Sequence, residues 1–514
     1  MVMSTLNNDN MPIPPTSSLP FLNRVASFGG RMAVIDDEGT WTYEALWEQA
    51  CGLACRLLGG TQDLNEAPIA FIAPPGRAYV AAQWGIWLAG GIAVPLCLKH
   101  PPPELQYVLE DTGAQKVIVH PQFESLLAPL CQQLNLQMLA TDARGEGCPL
   151  PVVDESRGAQ ILYTSGTTSR PKGVVTTHAN LTAQIMTLIE AWGWREDDHI
   201  LHVLPLHHTH GIVNVLLCAL WAGATCEMLP AFDAETVWDR FKNRPLTLFM
   251  AVPTIYQRLI RSWEEANEEE QAERSVACQK LRLMVSGSAA LPVSVLKRWQ
   301  GISSHTLLER YGMTEIGMAL SNPLEGERRA GTVGQPLPGV GLRLVDDSGE
   351  EITASDTPGE IQIQGLSVFK EYWQRPKATA AAFTDGWFLT GDRAVREEGY
   401  YRILGRMSVD IIKTGGYKVS ALEIEEILRT HPAIQECAVV GVEDLDWGER
   451  VCAGVVLRPG KTLDQDALRT WAKERLAPYK VPASVLFLDD LPRNVMGKVT
   501  KPPLKQQFQS ALAG

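Results

Sequence analysis

The stretch richest in chemistry spans residues 163–173 and reads Y-T-S-G-T-T-S-R-P-K-G. Thr164, Ser165, Thr167, Thr168 and Ser169 surround Gly166, and Arg170 and Lys172 add positive charge. Hydroxyls and backbone N–H groups in such a turn cradle a polyanion, and a lysine contributes a point charge. A surface hairpin rich in turn residues has a similar composition. The density of hydroxyls beside two cations favours phosphate. It is not a Walker A loop, because Pro171 precedes Lys172 and Gly173 follows it. Two further groups stand out. Arg282 opens a run, L-M-V-S, that reads as a buried strand; it is either half of a structural salt bridge or a fork for a substrate carboxylate. Four histidines (His202, His207, His208 and His210) suggest a metal, but no cysteine or carboxylate completes a ligand set, so they read as pocket lining.

These residues need a scaffold. An apolar run leads into the 163–173 stretch and V-V-T-T leads out, so the stretch is expected to be strand, turn, strand. Strand and helix patterns alternate from residue 21 to about 153 and again over 200–300, which predicts layered α/β subdomains. Residues 81–98 are strongly apolar but broken by Gly85, Gly90, Gly91 and Pro95. They predict a helix, a glycine turn and a buried strand, with no membrane span. The charged run 263–274 predicts one solvated helix. After residue 331, short β-like pieces predict a β-rich subdomain, and a small α+β unit follows residue 408. Residues 1 to about 20 read as a loose arm.

The chain has 514 residues and a net charge of −13, which argues against nucleic acid as a partner. Its ten cysteines show no metal spacing and are expected to be free thiols of a reducing compartment. The first 18 residues lack Lys and Arg, which argues against a secretory or transit signal, so a cytoplasmic location is expected.

The 163–173 stretch resembles the phosphate loop of the adenylate-forming superfamily, which includes acyl-CoA synthetases, luciferases and peptide-synthetase adenylation domains. Ser169 stands where that family usually has glycine. The resemblance continues in order through Y-G-M-T-E at 311–315, W-F-L-T-G-D at 387–392, G-R at 405–406, G-G-Y-K-V-S at 415–420 and P-R-N-V-M-G-K at 492–498. It implies a large N-terminal domain (1–405), a hinge (406–408) centred on Ser408 and a small mobile C-terminal domain (409–514). Many relatives carry Asp or Lys at the hinge position.

The resemblance implies that ATP is held by Thr164, Ser165, Gly166, Thr167, Thr168 and Lys172. Gly287, Ser288, Ala289, Glu309, Arg310, Tyr311, Gly312 and Met313 complete the nucleotide site, with Asp392 and Arg406 on the ribose. Thr314 contacts the α-phosphate, Glu315 holds Mg²⁺, and Lys498 bridges the attacking carboxylate and the α-phosphate. Gly415, Gly416 and Tyr417 approach CoA. The segments H-H-T-H-G, R-L-M-V-S-G-S-A-A-L-P and L-L-E-R-Y-G-M-T-E-I-G-M resemble malonyl-CoA synthetases within that superfamily. They imply an acid site of His207, His208, Thr209, Arg282, Ser286 and Met313. The expected activity is ATP-dependent ligation of malonate, or methylmalonate, to CoA through an acyl-adenylate. The expected enzyme is a monomer or small homo-oligomer. A fatty acyl-CoA synthetase and an enzyme loading a carrier protein stay open as alternatives. A protein carboxylate on Arg282 would favour the fatty acyl reading.

Overall fold

The computed structural model describes residues 17–164, 170–444, 447–494 and 497–513. Two large sheets form the core. The first has seven strands in the order Glu371–Tyr372, Lys172–Thr177, Gly158–Thr164, Ile92–Pro95, Pro68–Ile72, Lys116–Val119, Gln137–Ala140. The second has nine, and its centre is parallel: Leu308–Met313, Leu283–Ser286, Leu248–Ala251, His199–His202 and Thr225–Met228 are neighbours. One apolar cluster joins the inner faces of both sheets, from Phe71 and Leu162 on one to Ile200 and Met284 on the other. The helix Arg77–Leu88 runs inside that cluster. Ten apolar or small residues and Gln83 are buried all round it, as a core helix requires. It leads through a turn at Gly90 into the strand Ile92–Pro95, as the 81–98 pattern predicts.

A five-stranded antiparallel sheet follows, built on Gly341–Val345, Gly359–Gln364, Trp387–Glu397, Phe383–Thr384 and Tyr400–Arg406. The C-terminal part has its own five-stranded sheet, over residues 411–487, and its own core against the helices Ala421–Arg429 and Gln465–Lys473. The fold is therefore α/β with a large N-terminal domain and a smaller C-terminal one.

Two expectations are corrected. The 263–274 run is not one solvated helix. Asn267 accepts from Glu270 N and starts a second helix, Glu268–Cys278, after Pro253–Glu265 ends. Arg274 on that second helix is buried and donates to Glu235 Oε2 at 2.6 Å and Ser262 Oγ at 2.8 Å. Nor are all ten cysteines free, since Cys55 and Cys148 form a disulfide while the other eight remain thiols. Cys55 sits on the helix Tyr43–Leu58, and the chain after the strand Gln137–Ala140 returns to it, with Gly145 N donating to Gly52 O at 2.9 Å.

That cross-link closes a loop of 93 residues. Cys148→Ser is expected to cost about 2–4 kcal/mol of stability, read as a lower melting temperature than the oxidised wild type. Identical melting of the two proteins would show that the pair contributes nothing.

Candidate active site

The C-terminal ends of the parallel strands, the five-stranded sheet and the C-terminal domain enclose one cleft of 2210 Å³. Ligands of open α/β sheets bind at this end of the strands. Thr164 ends one strand and Lys172 starts the next, so both face the cleft from the base of the 163–173 turn. Tyr107 OH donates to Pro171 O at 2.7 Å and Tyr163 OH to Asp111 Oδ2 at 2.8 Å, which fixes that base. Ser165, Gly166, Thr167, Thr168 and Ser169 lie outside the described residues.

The sequence Y-G-M-T-E ends the strand Leu308–Met313 and enters the turn to its hairpin partner Gly317–Ser321. Tyr311, Gly312, Met313, Thr314 and Glu315 all line the cleft. Glu315 is buried, and burial raises its carboxyl above the usual range. Tyr372 OH donates to its Oε1 at 3.0 Å. Among the described residues no cluster of three metal-ligating side chains occurs. A single buried carboxylate suits Mg²⁺, which takes one or two carboxylates and completes its shell with phosphates and water.

Asp392 and Arg406 face each other across antiparallel strands. Arg406 Nε donates to Asp392 Oδ1 at 2.9 Å, and Tyr311 OH to Oδ2 at 2.6 Å. This aligns the carboxylate at the cleft wall, where its remaining lone pairs can accept from a diol. Ser408 is exposed in the turn just beyond, tied by Met407 N to Gly391 O at 2.9 Å and Asp410 N to Arg406 O at 2.7 Å.

The floor of the cleft carries unusual charge. Arg310 is only 2% exposed. Its one hydrogen bond among the described residues runs from Nη2 to Ser288 Oγ at 3.2 Å, and Nε and Nη1 have no partner. Burial lowers its pKa to about 9. The guanidinium lies flat on Gly287, where a Cβ would meet Cζ at 2.6 Å. Ser288, held at φ 68, turns its hydroxyl to His210 Nδ1 at 3.2 Å. Strained backbone of this kind gathers at functional sites. His207 and His208 pack with ring centres 4.0 Å apart and planes tilted by 51°. Burial first, then nearby cations and rings, keeps His207, His208 and His210 far below the usual imidazole range, so all three are neutral. Their Nε2 atoms and Thr209 Oγ1 are buried without partners. A π-helix, His210–Leu217, follows them, and π turns often mark functional sites. Lys498 also enters the cleft, and burial, then Arg310 and Arg406, lower its pKa to about 8.

Several residues expected at the site lie outside the cleft in this structure. Arg282 is not in the cleft; it donates to Asp198 through Nε at 2.8 Å and Nη2 at 2.5 Å, and to Trp192 O at 3.2 Å. Asp198 lies under the sheet at the start of the strand His199–His202, so Arg282 sits at the N-terminal end of its own strand, away from the ligand end. Ser286 is fully buried and also does not line the cleft. Gly287 lies beneath Arg310 instead of lining the cleft itself, whereas Ser288, Ala289 and Glu309 do line it. Glu309 accepts from Leu291 N at 3.1 Å, and burial raises its carboxyl to about 8. Gly415, Gly416 and Tyr417 point away from the cleft, where Gly415 packs on Trp447 and Tyr417 stacks on Tyr479 at 4.2 Å. Lys498 lines the cleft here and this loop does not.

The sequence reading took His210 as pocket lining without assigning it to the acid site, and it missed Arg258 and Arg261. His210 was visible as the fourth polar position of H-H-T-H. Arg258 and Arg261 share a face of the helix Pro253–Glu265 by their i, i+3 spacing and line the outer cleft, with Arg258 over the Phe232 ring at 4.7 Å.

The AMP-binding enzyme family model matches residues 21–373, and its C-terminal domain model matches 423–498. The chain belongs to the AMP-binding enzyme family. It is 46% identical to the mitochondrial malonate–CoA ligase ACSF3 of Homo sapiens, over 96% of this chain and 92% of that one. ATP-bound MatB from Rhodopseudomonas palustris shares 33% identity and superposes with a TM-score of 0.86, over 95% of this chain and 99% of that one. Apo MatB gives 0.78 over 96% and 99%. The mitochondrial relative overturns the cytoplasmic expectation. Among the described residues no helix is long and apolar enough to cross a membrane.

Arg282→Leu would strand a buried Asp198 and is expected to cost about 3–5 kcal/mol in denaturant unfolding. The remaining activity should fall equally toward malonate and butyrate, in proportion to the folded fraction. A selective loss of malonate use by a stable variant would restore Arg282 as the selector.

Proposed function

We propose that this enzyme joins malonate to coenzyme A at the expense of ATP, by way of malonyl-adenylate. Arg310 is the observation that carries this reading. A buried guanidinium with two unpartnered nitrogens is unfavourable until an anion arrives. A planar fork suits a carboxylate. An alkyl chain on the same floor would leave the charge desolvated and unpaired, which disfavours a fatty acid. Arg310 thus takes the role first expected of Arg282, and the malonate–CoA ligase relative supports the same acid.

In the first step an oxygen of one malonate carboxylate attacks the α-phosphorus of ATP, and pyrophosphate leaves. Arg310, with Ser288 and His210, holds the distal carboxylate; the neutral imidazoles donate hydrogen bonds without adding charge. Lys498 neutralises charge around the attacking carboxylate and the α-phosphate, with Thr314 and Lys172 on the phosphates. Asp392 and Arg406 fix the ribose. Glu315 would hold Mg²⁺, which neutralises phosphate charge when bound. In the second step the CoA thiolate attacks the acyl carbon and AMP leaves. Residues 409–514 swing about a hinge at 406–408, withdrawing Lys498 and bringing in Gly415, Gly416 and Tyr417. Arg258 and Arg261 on the outer wall suit the phosphates at the nucleotide end of CoA. The higher likeness to ATP-bound than to apo MatB accords with an adenylation arrangement.

Charge-assisted hydrogen bonds contribute about 1.5–3 kcal/mol each, and about 1.4 kcal/mol is tenfold. Arg310→Leu is therefore expected to lower kcat/KM for malonate by roughly two decades or more. Butyrate should lose far less, and the melting temperature should not fall. Equal losses for malonate and butyrate would remove Arg310 as the acid selector.

A further inference from the structure

The helix Lys501–Ala513 begins three residues after Lys498. Lys501 places its ammonium between two carboxylates, 2.5 Å from Asp410 Oδ1 and 2.8 Å from Glu425 Oε1. All three side chains are largely buried. Asp410 lies two residues past Ser408, and its Oδ2 accepts from Arg406 N at 3.0 Å. Gly405 makes room for it, since a Cβ there would come within 2.4 Å of Asp410 Cβ. Glu425 accepts from Val439 N at 2.9 Å and pairs with Arg429 at 3.0 Å. Arg429 also holds Glu426 at 2.9 Å, and Glu426 Oε2 accepts from Val293 N, at the start of the helix Val293–Ser303, at 3.3 Å.

A polar chain therefore runs without a break from Asp392 through Arg406 and Asp410 to Lys501. From there it returns through Glu425, Arg429 and Glu426 to the N-terminal domain. Lys501 is its junction with the segment that carries Lys498. On the other side of Lys498, Arg493 pairs with Glu436 and donates to Gly497 O at 3.0 Å. The polypeptide on both sides of Lys498 is thus held by ion pairs. Buried pairs of this kind define one geometry, because breaking them leaves a charge uncompensated.

We propose that Lys501 is a positioning residue for adenylation: through Asp410 and Glu425 it sets where the Lys498 ammonium enters the cleft. This rests on the reading that Lys498 serves the first step. Lys501 touches no substrate. It acts by holding the base of the Lys498 segment against the hinge, and a shift of about 1 Å at a reacting group costs on the order of a hundredfold. The second step does not use Lys498, so it does not need that placement.

The test uses the full chain with Lys501→Met, Lys501→Arg and Lys498→Ala, each checked by thermal melting. Adenylation is followed by malonate-dependent exchange of pyrophosphate into ATP. Thioester formation is followed from synthetic malonyl-adenylate and CoA. Lys501→Met should lower the adenylation rate about 30–100-fold, with KM for ATP and the thioester rate each within about threefold. Lys501→Arg should recover most of the adenylation rate. A purely structural residue would move both half-reactions together, and that result, or unchanged adenylation, overturns the proposal. If Lys501→Met does not fold, Asp410→Asn takes its place, because it keeps the shape and weakens one contact. It should lower adenylation alone, by about tenfold, and equal or absent effects would again overturn the proposal. Lys498→Ala separates the two levels. If it retains adenylation, the role given to Lys498 fails and takes this proposal with it. If it loses adenylation while Lys501→Met does not, only the role of Lys501 fails.

Discussion

Two cations, the buried Arg310 and the half-buried Lys498, share one cleft, and neither is matched by a carboxylate among the described residues. Burial pushes both toward their neutral forms, and Arg310 also repels Lys498. A chain with a net charge of −13 has many carboxylates available to neutralise them. Their absence at this floor makes the cleft complementary to anions that must be brought in. A dicarboxylate and the phosphates of ATP are such anions. Charge developing in the transition state then meets dipoles and cations already in place, with little reorganisation.

The rest of the structure keeps that arrangement aligned. The parallel strands end together, so the residues just past His199–His202, Leu283–Ser286 and Leu308–Met313 converge on one floor. Gly287 lets Arg310 lie against backbone, and Gly211 packs where a Cβ would meet Pro205 O at 2.4 Å. Neutral histidines complete the floor without competing for the anion. Lys498 reaches it from the smaller C-terminal domain, and the proposed hinge would let it withdraw before the thiol attacks.

Much of this was legible in the sequence. The apolar strand patterns around residues 163–173, the glycine break in 81–98 and the ordered motifs through Lys498 gave the layered α/β fold and most of the cleft lining. The identity of the acid-binding arginine was not legible. Arg282 precedes one strand and Arg310 lies within another, and only the fold pairs the first with Asp198 and leaves the second without a carboxylate at the cleft. Strand direction decides this, because Arg282 precedes its strand while Arg310 lies near the ligand end. Cys55 and Cys148 were unpaired on paper because 93 residues separate them. Asn267 divided the charged 263–274 run by capping, a local signal outweighed by the charge pattern.

The central claim is that a malonate oxygen attacks the α-phosphorus and that AMP leaves carrying it. Malonate labelled with ¹⁸O in its carboxylates tests this directly, by mass spectrometry of the AMP and pyrophosphate formed with ATP and CoA. An acyl-adenylate route puts one labelled oxygen on each AMP and none in pyrophosphate. Unlabelled AMP, or label in pyrophosphate or in free phosphate beside ADP, would contradict the account.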